Sequence, residues 1–254
     1  MEEKLIEIVK DVGKLLIKNF GKVKMVKKVK IKNPYDYSIS IDLLAEKEIL
    51  KKLKEAKIRC SVITEERGRI NLGDSDKLIF IDPLDGSLNY SKSIPHFCVS
   101  MAMKEKDEVN FGVIYDPCRD ELFVAEKGKG AFLNERKIKV NKCKNLKDSF
   151  CSIGFDFKNF EKSMEVEERI RRAVRRVRSF GSAGLDFSWV ACGRLEGYVD
   201  LDLKPWDLAA GSLLVEEAGG KVTDLKGGSW HPYCKEILAT NKILHEKLLK
   251  VILF

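Results

Sequence analysis

Glutamine is absent from the chain, and no two cysteines form a C-x-x-C pair. The seven cysteines, Cys60, Cys98, Cys118, Cys143, Cys151, Cys192 and Cys234, are scattered and odd in number. That excludes a zinc ribbon or a disulfide framework and reads as free thiols in a reducing cytoplasm. No apolar run reaches the roughly 18 residues that a membrane span requires. The start, Met1-Glu2-Glu3-Lys4, leads into an amphipathic helix and does not read as a signal peptide. No internal repeat or low-complexity linker divides the chain, so its parts are expected to pack tightly. The missing glutamine, set beside a charged content of 34%, points to a thermophilic source.

The 254 residues suffice for one large domain or two closely joined halves, and a hydrophobic content of 44% excludes disorder. The formal net charge of +8 gathers at Lys22 to Lys32 and at Arg169 to Arg178. A solvated surface or attraction of anionic substrates accounts for it better than nucleic-acid binding.

Periodicity predicts a helix over 2–19 closed by Gly21, and an exposed strand or ribbon over 22–32 broken by Asn33-Pro34. A helix follows from about Ser40 to Ala56, capped by Ser38 or Ser40, with Asp42 in its first turn. Ile58 to Ile63 reads as a strand ending in a charged loop, Thr64-Glu65-Glu66-Arg67-Gly68. Strands are expected at 97–103, 109–115, 121–125, 130–133 and 137–140. Gly128-x-Gly130 reads as turn chemistry, since no strand-to-helix unit frames it. In the second half strands are expected at 150–154, 174–180, 197–201, 221–223 and 236–239. Helices are expected at 158–173, from Gly181-Ser182-Ala183-Gly184 through Cys192, at 205–219 with Pro205 in the first turn, and at 241–253. This alternation implies layered sheets with helices between and outside them. The division is placed at 1–145 and 146–254, the first part binding metal and phosphate and the second completing the site.

The stretch from Lys77 to Tyr90 organises the rest. Leu78 to Ile81 is the continuous apolar run of a strand covered on both faces. Asp82-Pro83-Leu84-Asp85-Gly86-Ser87 then breaks it sharply, with two carboxylates three residues apart and a helix start behind them. Acidic ligands for a hard cation thus sit beside N–H groups suited to an anion. A bare D-x-x-D after a strand is structural in most proteins. Asp42 and Asp207 alone read as acids complementing a helix dipole, and Glu65 and Glu66 as solvated. The weight lies in the combination.

That combination resembles a known family. Thr64-Glu65-Glu66, Asp82-Pro83-Leu84-Asp85-Gly86-Ser87, Gly181-Ser182-Ala183 and Lys204-Pro205-Trp206-Asp207-Leu208-Ala209-Ala210-Gly211, in that order, resemble the inositol monophosphatase family. It belongs to a superfamily of lithium-sensitive, magnesium-dependent phosphatases that includes fructose-1,6-bisphosphatases. The likeness runs from Lys32 to the final helix. It implies an α/β (α+β) fold, a layered α-β-α-β-α sandwich, and a phosphomonoesterase using two or three Mg²⁺ ions. By the resemblance, Glu65, Asp82 and the Leu84 carbonyl hold the first ion, and Asp82, Asp85 and Asp207 the second. A third leans on Glu65 with Glu66 nearby. Gly86 and Ser87 N–H groups grip the phosphate. Asp42, hydrogen-bonded to Ser87, orients the attacking water with Glu65. Gly181, Ser182, Ala183 and Asp200 contact the polyol part of the substrate. A homodimer is typical of the family.

The chemistry suits those residue types. Two Mg²⁺ ions about 4 Å apart neutralise a phosphate dianion, and Mg²⁺ takes oxygen ligands, so carboxylates without His or Cys are the expected set. His96, His231 and His245 default to core or surface roles. Three positions depart from the family pattern: Ser87 stands for a usual Thr, Thr64 for a frequent Gly, and Asp200 for a Glu one methylene longer. The last leaves the substrate open. Inositol 1-phosphate is expected, and fructose 1,6-bisphosphate fits if Arg175, Arg176 and Arg178 grip a second phosphate instead of forming a solvated basic face. The alternatives are a phosphatase for 3′-phosphoadenosine nucleotides and an RNA-associated regulatory protein of the same fold.

Overall fold

The computed structural model describes residues 1–22 and 40–253. The strand or ribbon expected over 22–32 falls, beyond Lys22, outside the described residues, as do the break at Asn33-Pro34 and the cap at Ser38. Helix α1 (Glu2–Asn19) buries Leu5, Ile8, Val9, Val12 and Leu16 along one stripe, the spacing that predicts it. Gly21 follows with φ +71°, a conformation that costs a glycine little. Helix α2 (Ser40–Glu55) buries Ile41, Ala45, Ile49 and Leu53, and with them two acids, Asp42 and Glu46.

These helices cover one face of an eight-stranded sheet made of β1 (Ser61–Thr64), β2 (Gly68–Asn71), β3 (Lys77–Asp85), β4 (Cys98–Glu105), β5 (Glu108–Asp116), β6 (Glu121–Glu126), β7 (Gly130–Leu133) and β8 (Arg136–Lys137). The strand order is β2-β1-β3-β4-β5-β6-β7-β8. Only β1 and β3 run parallel; the other pairs are antiparallel. Alternate residues divide between two cores. Ile79, Ile81, Met101, Met103 and Val113 pack with α1 and α2. Phe80, Ala102, Ile114, Phe123 and Ala125 pack on the opposite side. The apolar run of β3 is therefore covered on both faces, as its composition predicts.

The second core belongs to α5 (Ala183–Ala191) and α6 (Pro205–Glu217). They lie between the first sheet and a five-stranded one made of β9 (Phe150–Ile153), β10 (Arg176–Arg178), β11 (Gly197–Asp200), β12 (Lys221–Thr223) and β13 (Ile237–Thr240), ordered β10-β9-β11-β13-β12. A Cβ on Gly211 would stand 2.4 Å from the ring of Phe187, so glycine is what lets α6 approach α5. Helices α4 (Phe160–Ala173) and α7 (His245–Leu253) close the outer face over a third core with Ile153, Val166, Ile170, Val199, Leu238 and Leu248. The layers are α-β-α-β-α. No described helix is long and apolar enough to cross a membrane.

Several boundaries differ from the sequence expectation. The loop after β1 turns back at once into β2, pairing Thr64 with Gly68 and Ser61 with Asn71. Strand β3 does not stop at Asp82: it runs to Asp85, with a register shift against β4 between Asp82 and Asp85. Such an irregularity accommodates Pro83, which has no N–H for the ladder. Helix α3 (Ser87–Ser91) behind it is only five residues long. Residues 58–60, 138–140, 179–180 and 241–244 lie outside regular elements.

Candidate active site

Strand pairing brings the first two acids together. Thr64 of β1 faces Ile81 of parallel β3, so Glu65 and Asp82 follow the same sheet position side by side. Asp82 is 2% exposed, and its Oδ1 accepts from the Leu84 N–H at 3.0 Å. Three residues on, Asp85 reaches across to α5. Its Oδ2 accepts from the Ser182 hydroxyl at 2.6 Å and the Gly184 N–H at 2.7 Å, and its Oδ1 from the Ala183 N–H at 3.2 Å. The Cys98 thiol adds a contact to Oδ2 at 3.3 Å. Asp85 thus satisfies the free N–H groups at the start of α5.

Asp207 comes from the first turn of α6, where its Oδ2 accepts from the Lys204 N–H at 2.7 Å. Its charge is felt at Asp82, and it feels Glu65 and Asp85 in turn. Asp42, buried near the start of α2, acts on Glu65 in the same way. Burial first, and mutual repulsion second, raise Asp82 and Asp207 well above the usual carboxylate range. Asp85 is raised mainly by burial, against the pull of its hydrogen bonds. Glu65 keeps part of its surface open to solvent, yet its carboxyl is pushed up to about 8, by desolvation and then by Asp42 and Glu66. Glu65 and Asp82 share a hydrogen bond, and no cationic side chain acts on any of the four acids, which makes the cluster a candidate cation site.

The donor set tests that fit. Carboxylate oxygens, with no His or Cys nitrogen or sulfur among them, suit Mg²⁺. Among the described residues, no three His, Cys, Asp or Glu side chains already stand as a ligand cage. Asp82, Asp85 and Asp207 instead each accept from a backbone N–H, bonds that leave lone pairs for a hard cation.

Gly86 follows at φ +89°, and a Cβ there would meet the His96 carbonyl at 2.9 Å and the Gly181 carbonyl at 3.3 Å. Only glycine allows this approach, which sets the loop of Gly86 and Ser87 against Gly181. Asn89 fastens the join: its Nδ2 donates to the carbonyls of His96 at 2.9 Å and Phe180 at 2.7 Å. Sequence reasoning passed over Asn89, although it lies in the organising stretch, because an Asn in a turn-rich segment carries no distinguishing mark.

The expected substrate wall is more committed than its sequence suggests. Gly181 is exposed, but the Ser182 hydroxyl and Ala183 N–H are already given to Asp85. Asp200 is 8% exposed; one oxygen takes the Tyr198 hydroxyl and the other the N–H groups of Leu201 and Asp202. Gly154 makes room for it, since a Cβ there would stand 1.6 Å from Oδ2. The histidines hold structural places. His245 lies between two threonines, His96 packs tilted against Phe180 and edge-on against Trp189, and His231 accepts from the Tyr233 N–H.

The family model for the inositol monophosphatase family matches residues 1–253. A Nus factor SuhB from Xylella fastidiosa is 38% identical over 226 residues, covering 88% of this chain and 81% of the relative. An inositol-1-monophosphatase from Mesorhizobium japonicum is 36% identical over 251 residues, covering 98% and 94%. Among solved structures, the extragenic suppressor protein suhB of Bartonella henselae superposes with a TM-score of 0.94 at 35% identity, covering 99% of this chain and 97% of that one. A gene product described as an inositol monophosphatase-fructose 1,6 bisphosphatase superposes with a TM-score of 0.86 at 29% identity, covering 100% and 98%.

Proposed function

The chain belongs to the inositol monophosphatase family, a family of phosphatases, and on that premise we propose that it is a Mg²⁺-dependent phosphomonoesterase acting on inositol 1-phosphate and on fructose 1,6-bisphosphate. The observation that carries this is the meeting of Glu65, Asp82, Asp85 and Asp207 beside the Gly86-Ser87 loop, with no cationic side chain acting on them. Glu65, Asp82 and the Leu84 carbonyl would hold a first ion, Asp82, Asp85 and Asp207 a second, and Glu65 with Glu66 nearby a third. When bound, Mg²⁺ supplies charge neutralisation for the phosphate, a more acidic water and stabilisation of the leaving alkoxide.

The protein's own groups do the placing. Gly86 and Ser87 offer N–H groups to the phosphate, a role for which the positive φ of Gly86 turns the backbone. Asp42 and Ser87 would orient the attacking water with Glu65. Ser182 and Ala183 serve the site through Asp85, while Gly181 and Asp200 border the space for the polyol.

Fructose 1,6-bisphosphate draws support from a charge contrast. Arg169, Arg171 and Arg172 of α4 are each paired with Glu165, Glu167 and Glu168 one turn earlier. Arg175, Arg176 and Arg178 have no carboxylate partner among the described residues, and their strand leads to Gly181. They are the available grip for a second phosphate.

Phosphate release from both substrates, with Mg²⁺ and then with EDTA at elevated temperature, tests the proposal. Release that depends on Mg²⁺ is expected from each. Activity on inositol 1-phosphate alone would remove the arginine strand from the substrate. No release from a folded protein would overturn the reading in favour of a nucleotide phosphatase or of the regulatory role that the name Nus factor gives to relatives. A regulatory binding function would survive Asp82→Asn and weaken steeply with salt.

A further inference from the structure

Glu46 has no exposed surface, and it lies on α2 one helical turn after Asp42. Residues four apart share a helix face, and here that face is turned to the residues joining β1 to β2. A carboxylate buried this completely requires partners, because leaving it unpaired costs several kcal/mol, by rough reckoning. Glu46 has two. The Nε of Arg67 stands 2.9 Å from its Oε1, an ion pair without hydrogen-bond alignment, and the N–H of Glu66 donates to its Oε2 at 3.2 Å. Both partners directly follow Glu65.

The same turn is tied from within. Thr64, fully buried, accepts the Arg67 N–H on its hydroxyl at 3.2 Å and donates that hydroxyl to the Gly68 carbonyl at 3.4 Å. Thr64, Glu66 and Arg67 are thereby fastened, and Glu65 is the member left to face the acidic centre. There Asp42, Glu66 and Asp85 repel its carboxylate, while the Asp82 side chain hydrogen-bonds it. A turn carrying such a ligand needs an anchor. A buried carboxylate that takes one backbone N–H by hydrogen bond and one guanidinium by ion pairing is that anchor.

We propose that Glu46 and Arg67 form a clamp that holds the Glu65 turn against the repulsion of the acidic centre, so that Glu46 is a positioning residue for Mg²⁺ uptake. The inference rests on the phosphatase reading above. It adds a determinant of cation affinity that touches neither the ion nor the substrate. Loss of groups that orient metal ligands typically lowers affinity about 10–100-fold.

Calorimetric titration of the full chain with Mg²⁺ alone tests it, alongside melting temperatures with and without Mg²⁺. Glu46→Gln is expected to weaken Mg²⁺ uptake about 10-fold and to leave KM for substrate unchanged at saturating Mg²⁺. Arg67→Ala, at a half-exposed side chain, is expected to act in the same direction and keeps the test open should Glu46→Gln fail to fold. Glu48→Gln, two residues further along α2 and facing Lys51, is expected to change nothing. Wild-type Mg²⁺ affinity in both clamp variants, with only the melting temperature lowered, would reduce the pair to packing and overturn the clamp. A wild-type chain that takes up no Mg²⁺ would instead overturn the phosphatase reading and the clamp with it.

Discussion

His245 and the aspartates of the acidic centre are held away from solvent, and burial treats them oppositely. His245 has no exposed surface, yet its Nδ1 meets the Thr240 hydroxyl and its Nε2 the Thr223 hydroxyl, each at 2.9 Å. Both ring nitrogens are used, and the ring stays neutral, its pKa lowered to about 4 chiefly by desolvation. The acidic centre also uses hydrogen bonds, from Leu84, Gly184 and Lys204. Those bonds do not cancel the repulsion among Glu65, Asp82, Asp85 and Asp207. A closed hydrogen-bond account marks a structural cluster; an excess of one charge marks a place awaiting an ion of the other sign.

The largest expected effect breaks the comparison at the acidic centre. Asp82→Asn or Asp207→Asn should lower turnover by roughly 10²–10³-fold or more, while the melting temperature in EDTA holds or rises because a repelling charge has gone. Unfolding of either variant in EDTA would show these acids to be structural, as His245 is.

Next comes the pH dependence, which should differ in sign. The folded-state pKa of Glu65 is raised from 4.5 to about 8. Its contribution to stability without metal is complete below 4.5 and lost as pH rises through about 8. That of His245 is lowered from 6.5 to about 4, so its contribution is complete above 6.5 and lost as pH falls through about 4. Melting curves in EDTA should decline on both limbs. Mg²⁺ should lift the alkaline limb alone, by about 2.7 kcal/mol at a hundredfold excess over Kd. Equal lifting at pH 5 and pH 8 would detach Mg²⁺ from these carboxylates.

The smallest effect sharpens the contrast from the other side. His245→Ala should cost about 2–3 kcal/mol of stability by leaving a buried cavity and taking one hydrogen bond from each of two buried hydroxyls, with Mg²⁺ affinity and turnover per folded molecule unchanged. A change in metal affinity would mean that the outer layer reaches the centre.

Much of the fold was readable from local pattern. The stripe of α1, Pro205 opening α6 and the apolar run of β3 each act over a few residues, and each element stands where its pattern predicts. The hairpin to β2 was not, because Arg69 and Asn71 are exposed and its strand has little apolar content to reveal it. Nor was the continuation of β3 through Pro83, since a proline there reads as a stop until a register shift makes room.

The site divides along the same line. Asp82, Asp85, Gly86 and Ser87 are neighbours in sequence, so their meeting was legible there, while the roles expected of them came from the resemblance and from their combination with Glu65 and Asp207. Glu46 could not: on a helix with this many charges it reads as one more solvated acid, and only burial under the β1–β2 turn separates it from Glu48. The resemblance makes Asp200 a contact for a substrate hydroxyl, and the fold adds what sequence could not show, hydrogen bonds to its two oxygens from Tyr198, Leu201 and Asp202. The sequence by itself determined which chemical groups are present, which short elements form and which family the chain resembles, because these depend on residue type and near neighbours. Tertiary structure alone decided which acids stay unneutralised and which are consumed, because that depends on partners brought together by three separately packed cores.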